Sequence, residues 1–359
     1  MKVSFVNWGR QYQKLKPEID SAIQCALARG DIIMRRDVEE FERRLANFTN
    51  TKYAIGLNSG TDALYLSLRA LNIGQGDEVI TVSWTFVATI AVINQVGAKP
   101  ILVDIKNDYL IDPELIEKAI TPRTKAIIPV HFNGVMCDMD KIMRIAKKHK
   151  LYVIEDAAQA FLRQYKGKMA GSIGDTGCFS FYPSKLIGAY GDAGGIITNN
   201  KEIYEKIRIL QDHGRITKNK TVCFGVNSRL DNIQAAIINV KFNKVEEIIK
   251  RRIEVVKRYK RGIRHIHQIK MILPDNCENF VIEIKGGERD KLMEFLAKEG
   301  IETQVHESVP YHKQIKEIAH FKLPVTEALS KKVLTLPLNE DITNEEIDYI
   351  IIKLKEFYE

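Results

Sequence analysis

An α/β fold is expected, with a large domain built on a mostly parallel mixed sheet flanked by helices and a smaller C-terminal α/β domain. Three observations predict it. Between about residues 51 and 199, apolar runs of strand length alternate with stretches of helical periodicity. Strands separated by helices imply βαβ crossovers, and hence parallel pairing. After about residue 278 the rhythm shortens, which marks a second and smaller unit, and 359 residues are enough to bury both cores. The division is placed at 1–250 and 251–359, with the extreme N-terminus packing on the small domain.

Each element follows from local pattern. Residues 53–57 (Tyr-Ala-Ile-Gly-Leu) are a strand, and 61–68 a helix opened by Asn58-Ser59-Gly60-Thr61. Residues 78–82, 99–104, 125–130 and 151–156 are further apolar strands. An aromatic strand follows around Cys178-Phe179-Ser180-Phe181, then a glycine-rich turn at Gly188-Ala189-Tyr190-Gly191. A long helix begins near Leu230. In the smaller domain 279–284 is a strand, 290–296 a helix and 301–305 a strand.

Composition excludes several functions. No apolar stretch approaches the roughly 18 residues of a membrane span. The start, Met1-Lys2-Val3-Ser4-Phe5, lacks the apolar run of a signal peptide, so a cytoplasmic protein is expected. Five dispersed cysteines without a CxxC pair predict reduced thiols and no zinc site. The net charge of +8 is concentrated between Lys241 and Lys270, where eleven Lys or Arg face three Glu. Helical spacing there predicts a solvated basic face, and no nucleic-acid motif accompanies it.

Polar residues stand where an α/β sheet keeps its ligands, beyond the carboxyl ends of strands. Val153-Ile154-Glu155-Asp156 puts a carboxylate at such an end, and Phe181-Tyr182-Pro183-Ser184-Lys185 puts an amine just past another. Ser59, Gly60 and Thr61 open a helix, where free amides favour a phosphate, although Ser59 equally suits a plain N-cap. An aromatic of Trp84-Thr85-Phe86 can cover a flat ring. Gln159 can reach a ring hydroxyl. A lysine for covalent attachment, a carboxylate for a pyridinium nitrogen and a phosphate cradle are together what pyridoxal 5'-phosphate requires. A nicotinamide dehydrogenase would need G-x-G-x-x-G after the first strand, which is missing.

Beyond these phrases, Val130-His131-Phe132-Asn133-Gly134 and Asn227-Ser228-Arg229-Leu230-Asp231 complete a pattern that resembles the DegT/DnrJ/EryC1/StrS nucleotide-sugar aminotransferases, which are fold-type-I PLP enzymes. The resemblance implies that Lys185 carries the cofactor and shuttles protons, and that Asp156 pairs with the ring nitrogen. It also implies that Gln159 meets the ring hydroxyl, that Phe86 rather than Trp84 stacks on the ring, and that Gly60, Thr61 and Ser180 hold the phosphate. Asn227 matches a residue given to the neighbouring subunit's phosphate, which implies a homodimer with shared active sites. Glutamate is the implied amino donor, and a UDP- or dTDP-linked keto-hexose the acceptor, in surface polysaccharide or glycan biosynthesis.

Departures fall around the substrate. Arg35 and Arg36 stand where many members read Tyr-Ile-Leu-Gly, and His306-Glu307-Ser308-Val309-Pro310-Tyr311-His312 alters a wall near the nucleotide-sugar. Arg35, Arg229, His306, Tyr311 and His312 are the candidate substrate residues. The Asn-Ser-Arg-Leu-Asp phrase favours amination at C3, with C4 as the alternative. A sugar 3-dehydratase of the same fold would carry histidine in place of Lys185. A non-catalytic regulatory homologue would not need the Asp156, Gln159, Ser180 and Lys185 set.

Overall fold

The computed structural model describes residues 1–306 and 308–359. They form two compact units, Pro17–Asn243 on one hand and Met1–Lys16 with Lys244–Glu359 on the other. Against the boundary at 250 read from the sequence, the helix Val245–Ile263 lies wholly in the second unit. Its apolar face packs there, with Tyr259 stacked on Phe280 at 5.0 Å between ring centres and Arg258 bonded to Asp348 at 2.7 Å.

The first unit is built on seven strands: β1 (Tyr53–Leu57), β2 (Glu78–Val82), β3 (Lys99–Val103), β4 (Thr124–Ile127), β5 (Tyr152–Asp156), β6 (Thr176–Ser180) and β7 (Gly194–Thr198). Their order is β1-β7-β6-β5-β4-β2-β3. The β3–β2, β2–β4, β4–β5 and β5–β6 pairs are parallel, whereas β7 runs antiparallel to both β6 and β1. All strands but β7 therefore end at the same edge. Burial on both faces explains the near-continuous apolar runs, as in the fully buried β2 and β7. Register aligns that edge: Leu57 and Ser180 both pair with Gly194, and Asp156 pairs with Cys178.

Helix Gly60–Ala70 covers one face through Ala63, Leu64, Leu66 and Leu68. An ion pair ties helices to the sheet. Glu42, on helix Arg36–Thr49, accepts the β1 amide of Gly56 at 2.9 Å. The same carboxylate takes Arg208 of helix Lys201–Leu210 through both oxygens, at 2.9 and 2.6 Å.

The second unit holds a three-stranded antiparallel sheet, with Phe280–Ile284 between Ile269–Lys270 and Val333–Leu336. Two expectations differ here. Residues 301–305 are not a strand; Ile301 bridges Val3 while Gln304 bridges Thr335, so neighbouring residues pair with different partners and no ladder propagates. The long helix expected from Leu230 is two helices, Asn232–Phe242 and Val245–Ile263, interrupted at Asn243 and Lys244. The first is buried nearly all round (Ala235, Ala236, Ile237, Ile238), and only the second is amphipathic. Nor is the basic run simply a solvated face. Lys241 and Arg252 are buried, and Arg252 donates to the carbonyls of Leu338 and Glu278. Lys260 caps Leu273 at 2.6 Å and pairs with Asp275 at 2.8 Å. Among the described residues no helix is long and apolar enough to cross a membrane.

Arg208→Met should leave the Glu42 carboxylate buried on one backbone amide. Breaking a partly exposed member of such a pair costs about 2 kcal/mol, readable in urea unfolding. Burial already raises the Glu42 pKa against the opposing pull of Arg208. A raised carboxyl pKa means stability present at low pH and lost as pH rises. The deficit of the variant should therefore be smaller at pH 5 than at pH 8.

Candidate active site

The shared strand edge gathers the residues singled out in the first unit. β5 ends in two adjacent carboxylates that alternate to opposite faces. Glu155 is fully buried and accepts four N–H groups: His131 Nε2 at 2.8 Å and the amides of Gly171, Ile173 and Gly174 at 2.9, 2.7 and 2.6 Å. Asp156 is also buried, and its side chain accepts the Thr89 hydroxyl at 2.7 Å and the Ala158 amide at 3.2 Å. Burial raises the Asp156 pKa; Thr89, Ala158, the Lys185 ammonium and His131 oppose that shift. Lys185 is thus within electrostatic reach of Asp156.

His131 carries the pairing of β4 and β5 past the end of β4. Its amide donates to the Asp156 carbonyl at 3.0 Å, and the Asp156 amide to Pro129 at 2.9 Å. The imidazole is fully buried. Burial opposes its cationic form, but Cys137 and Glu155 outweigh burial and raise the pKa. The Cys137 amide donates to Nδ1 at 3.2 Å, and a lone pair that accepts an N–H carries no proton. Nε2 is therefore the nitrogen that donates to Glu155.

The start of helix Gly60–Ala70 lies beside the ends of β6 and β1. Ser59 is its N-cap and accepts the Asp62 amide at 3.1 Å, so its hydroxyl serves the helix first. Gly60 and Thr61 carry the remaining first-turn amides. A Cβ on Gly60 would come within 3.0 Å of the Ser180 Cβ, so Ser180 stands at the helix start. A Cβ on Gly194 would fall 2.2 Å from the Ser59 carbonyl carbon and 2.6 Å from the Gly60 nitrogen; only glycine lets the helix seat this close to β7. Gln159 accepts the Asn133 amide at 2.8 Å through its oxygen, which directs its nitrogen to other partners. Trp84 is buried in the core, stacked on Tyr109 at 5.7 Å, whereas Phe86 is 63% exposed.

The segment after Lys185 is tightly tied. The buried Lys241 donates to the Gly188 carbonyl at 2.6 Å and lies 4.3 Å from the centre of the Tyr190 ring. Gln234 accepts the Tyr190 amide at 3.0 Å. Neither Lys241 nor Gln234 signals this clamp in the sequence, because both partners are backbone groups.

Arg35 and Arg229 sit on neighbouring segments. Ile33 bridges Asp231, and Asn232 donates to Asp37 at 2.6 Å. Arg35 is exposed at the N-cap of helix Arg36–Thr49. Arg229 is held by Asn227 Oδ1 at 2.8 Å, and Asn227 itself is exposed. Ser228, between them, donates to Asp62 at 2.7 Å. The remaining candidates lie in the second unit. His312 is fully buried with Nε2 3.1 Å from Glu327, whose pKa His312 and Lys313 depress to about 2. His306 and Tyr311 are half-buried, and Glu307 lies outside the described residues.

These residues fit pyridoxal phosphate. A buried carboxylate within reach of a lysine suits a pyridinium N–H, and the glycine-backed helix start beside a serine hydroxyl suits a phosphate. Thr89, His131 and Glu155 are the site residues that sequence reading missed. Neither the Thr89–Asp156 bond nor the His131–Glu155 contact has a signal in the sequence, because each depends on what the fold sets opposite.

The family model described as "DegT/DnrJ/EryC1/StrS aminotransferase family" matches residues 13–355. The chain is 39% identical over 358 residues to the UDP-2-acetamido-2-deoxy-3-oxo-D-glucuronate aminotransferase of Pseudomonas aeruginosa, covering 98% of this chain and 99% of that one. It is 41% identical over 351 residues to the dTDP-3-amino-3,6-dideoxy-alpha-D-galactopyranose transaminase of Aneurinibacillus thermoaerophilus, covering 95% and 94%. Among solved structures, S. venezuelae DesV in complex with a ketimine intermediate superposes with a TM-score of 0.94 at 34% identity, over 100% of this chain and 99% of that one.

Gly194→Ala should push the start of helix Gly60–Ala70 off β7. Affinity for pyridoxal phosphate, followed by fluorescence quenching of the cofactor-free protein, should fall at least about tenfold, since a misplaced phosphate cradle loses charge-assisted hydrogen bonds. Ser59→Gly, which keeps an acceptable N-cap, should cost far less.

Proposed function

Because the chain belongs to the DegT/DnrJ/EryC1/StrS aminotransferase family, we propose that it moves the amino group of glutamate onto C3 of a UDP- or dTDP-linked keto-hexose. It is a transaminase whose cofactor is pyridoxal 5'-phosphate. The observation that carries the chemistry is the buried Asp156 within electrostatic reach of Lys185 at the ends of β5 and β6. When bound, the cofactor supplies an electron-withdrawing ring that eases loss of a proton from the carbon bearing the amine.

The protein's part is to hold that ring and manage protons. Asp156 would hold the ring nitrogen's proton, and the Thr89 and Ala158 bonds favour its charged form against burial. Gly60, Thr61 and Ser180 bind the phosphate, with Ser59 shaping the helix start. Phe86 covers a ring face and excludes water, and the Gln159 side chain meets the ring hydroxyl. Lys185, once its amine is free, takes the proton from the donor carbon and later returns one to the sugar carbon. Glutamate leaves as 2-oxoglutarate before the sugar binds, so kinetics are ping-pong.

Arg35, Arg229, His306, Tyr311 and His312 are assigned to the sugar nucleotide. Of these, His312 acts by anchoring its loop, since it is buried against Glu327. The exposure of Asn227 supports its donation to a partner subunit in a homodimer, as do Val222 and Phe224, exposed on the adjoining segment. C3 is supported by the 3-oxo and 3-amino sugars in the names of the two relatives above. A cytoplasmic setting and a part in surface polysaccharide or glycan assembly belong to the same reading.

Purified enzyme should show a visible band that borohydride abolishes, with the cofactor recovered on the Lys185 peptide. Lys185→Ala should lose the borohydride trapping and at least about a thousandfold of kcat, as for loss of a residue that is both the covalent anchor and the acid–base group. With 2-oxoglutarate as acceptor, 3-amino sugar nucleotides should be converted; conversion of 4-amino sugars alone would refute C3.

A further inference from the structure

The turn between β2 and helix Ala88–Gln95 offers two unlike groups within five residues. Phe86 is turned outward, while Thr85 and Thr89 are buried at 1% and 0% exposure. Neither threonine caps the helix; its N-cap is Val87, without a side-chain cap bond. Their hydroxyls bond each other at 2.7 Å, and the Thr89 hydroxyl reaches Asp156 Oδ2 at 2.7 Å. When Asp156 is ionised it can only accept, so Thr89 gives it its one proton. The Thr85 hydroxyl must therefore donate to Thr89. The direction of both bonds is fixed, and the chain ends on the site's central anion.

We propose that Thr89, backed by Thr85, is a positioning residue that holds Asp156 ionised and oriented toward the cofactor's ring nitrogen. The role rests on the pyridoxal phosphate reading above. Among the described residues, Asp156 Oδ1 accepts the Ala158 amide at the longer distance of 3.2 Å. The Thr89 hydroxyl is thus the strongest donor to a carboxylate that burial otherwise drives toward its neutral form. The other titratable groups facing Asp156 are Lys185 after β6, His131 after β4 and Cys178 on β6. Lys185 is taken up in covalent attachment once the cofactor is bound, and His131 spends its Nε2 proton on Glu155. Cys178, whose thiol burial pushes up, donates no charge. Thr85 reinforces the bond, because a hydroxyl that accepts is a better donor. One short turn thereby sets both the stacking ring and the electrostatics of the ring nitrogen.

The test uses Thr89→Val, which keeps shape and removes the hydroxyl, and Thr89→Ser, which restores it. Pyridoxal phosphate affinity of the cofactor-free proteins is measured from pH 5 to 9 by fluorescence quenching, with circular dichroism as the check on folding. Thr89→Val should bind roughly ten- to hundredfold more weakly, as for loss of a hydrogen bond to a buried charge. Its acid limb should move up by about one pH unit, because Asp156 takes a proton more readily. Thr89→Ser should follow the wild type in both. Thr85→Val should shift the limb in the same direction by less, and it carries the test if Thr89→Val does not fold. An unshifted acid limb in Thr89→Val and Thr85→Val, or equal weakening in the Val and Ser variants, would overturn the role. A wild-type protein that fails to take up the cofactor would instead overturn the functional reading, and this role with it.

Discussion

Two adjacent buried carboxylates at the end of β5 set the terms for the structure around them. Burying one charge is costly, and burying two in sequence is sustained only because strand alternation sends them to opposite faces. Glu155 is satisfied from within the fold, by His131 and three amides of the 171–174 turn. It fastens β5 to the loops on either side. Among the described residues, Asp156 accepts one hydroxyl and one longer amide contact. On the function proposed above, a ligand that brings a charged N–H would complete it. The first carboxylate makes the scaffold, and the second makes the site.

The rest of the edge follows from register. Antiparallel β7 lies between β1 and β6, and its first residue is glycine, so the helix start after β1 settles against Ser180. The anion cradle and the carboxylate are thereby fixed on one rigid sheet, and the lysine loop is clamped by Lys241 and Gln234 from a single buried helix. Rigid placement of this kind is what proton transfer between fixed positions needs.

Much of this was legible in the sequence. Strand-length apolar runs located the parallel strands, because burial on both faces leaves little choice of residue. Asp156 and Lys185 were legible because a charge just past such a run is otherwise unexplained. The split after Phe242 was not legible: Lys241 reads as the start of a basic face, yet it is buried on the Gly188 carbonyl. Residues 301–305 looked like a strand because alternation is also satisfied by two isolated bridges to different partners. Thr89 and His131 escaped because a hydroxyl and an imidazole acquire meaning only from what the fold sets opposite them.

The claim that Asp156 is the unfinished half of a charge pair is tested most directly by nitrogen-15 NMR of the holoenzyme loaded with ring-labelled pyridoxal phosphate. A protonated, pyridinium-type shift is expected at neutral pH, and it should be lost in Asp156→Asn. A neutral pyridine shift in the wild type, or the same shift in both proteins, would contradict it.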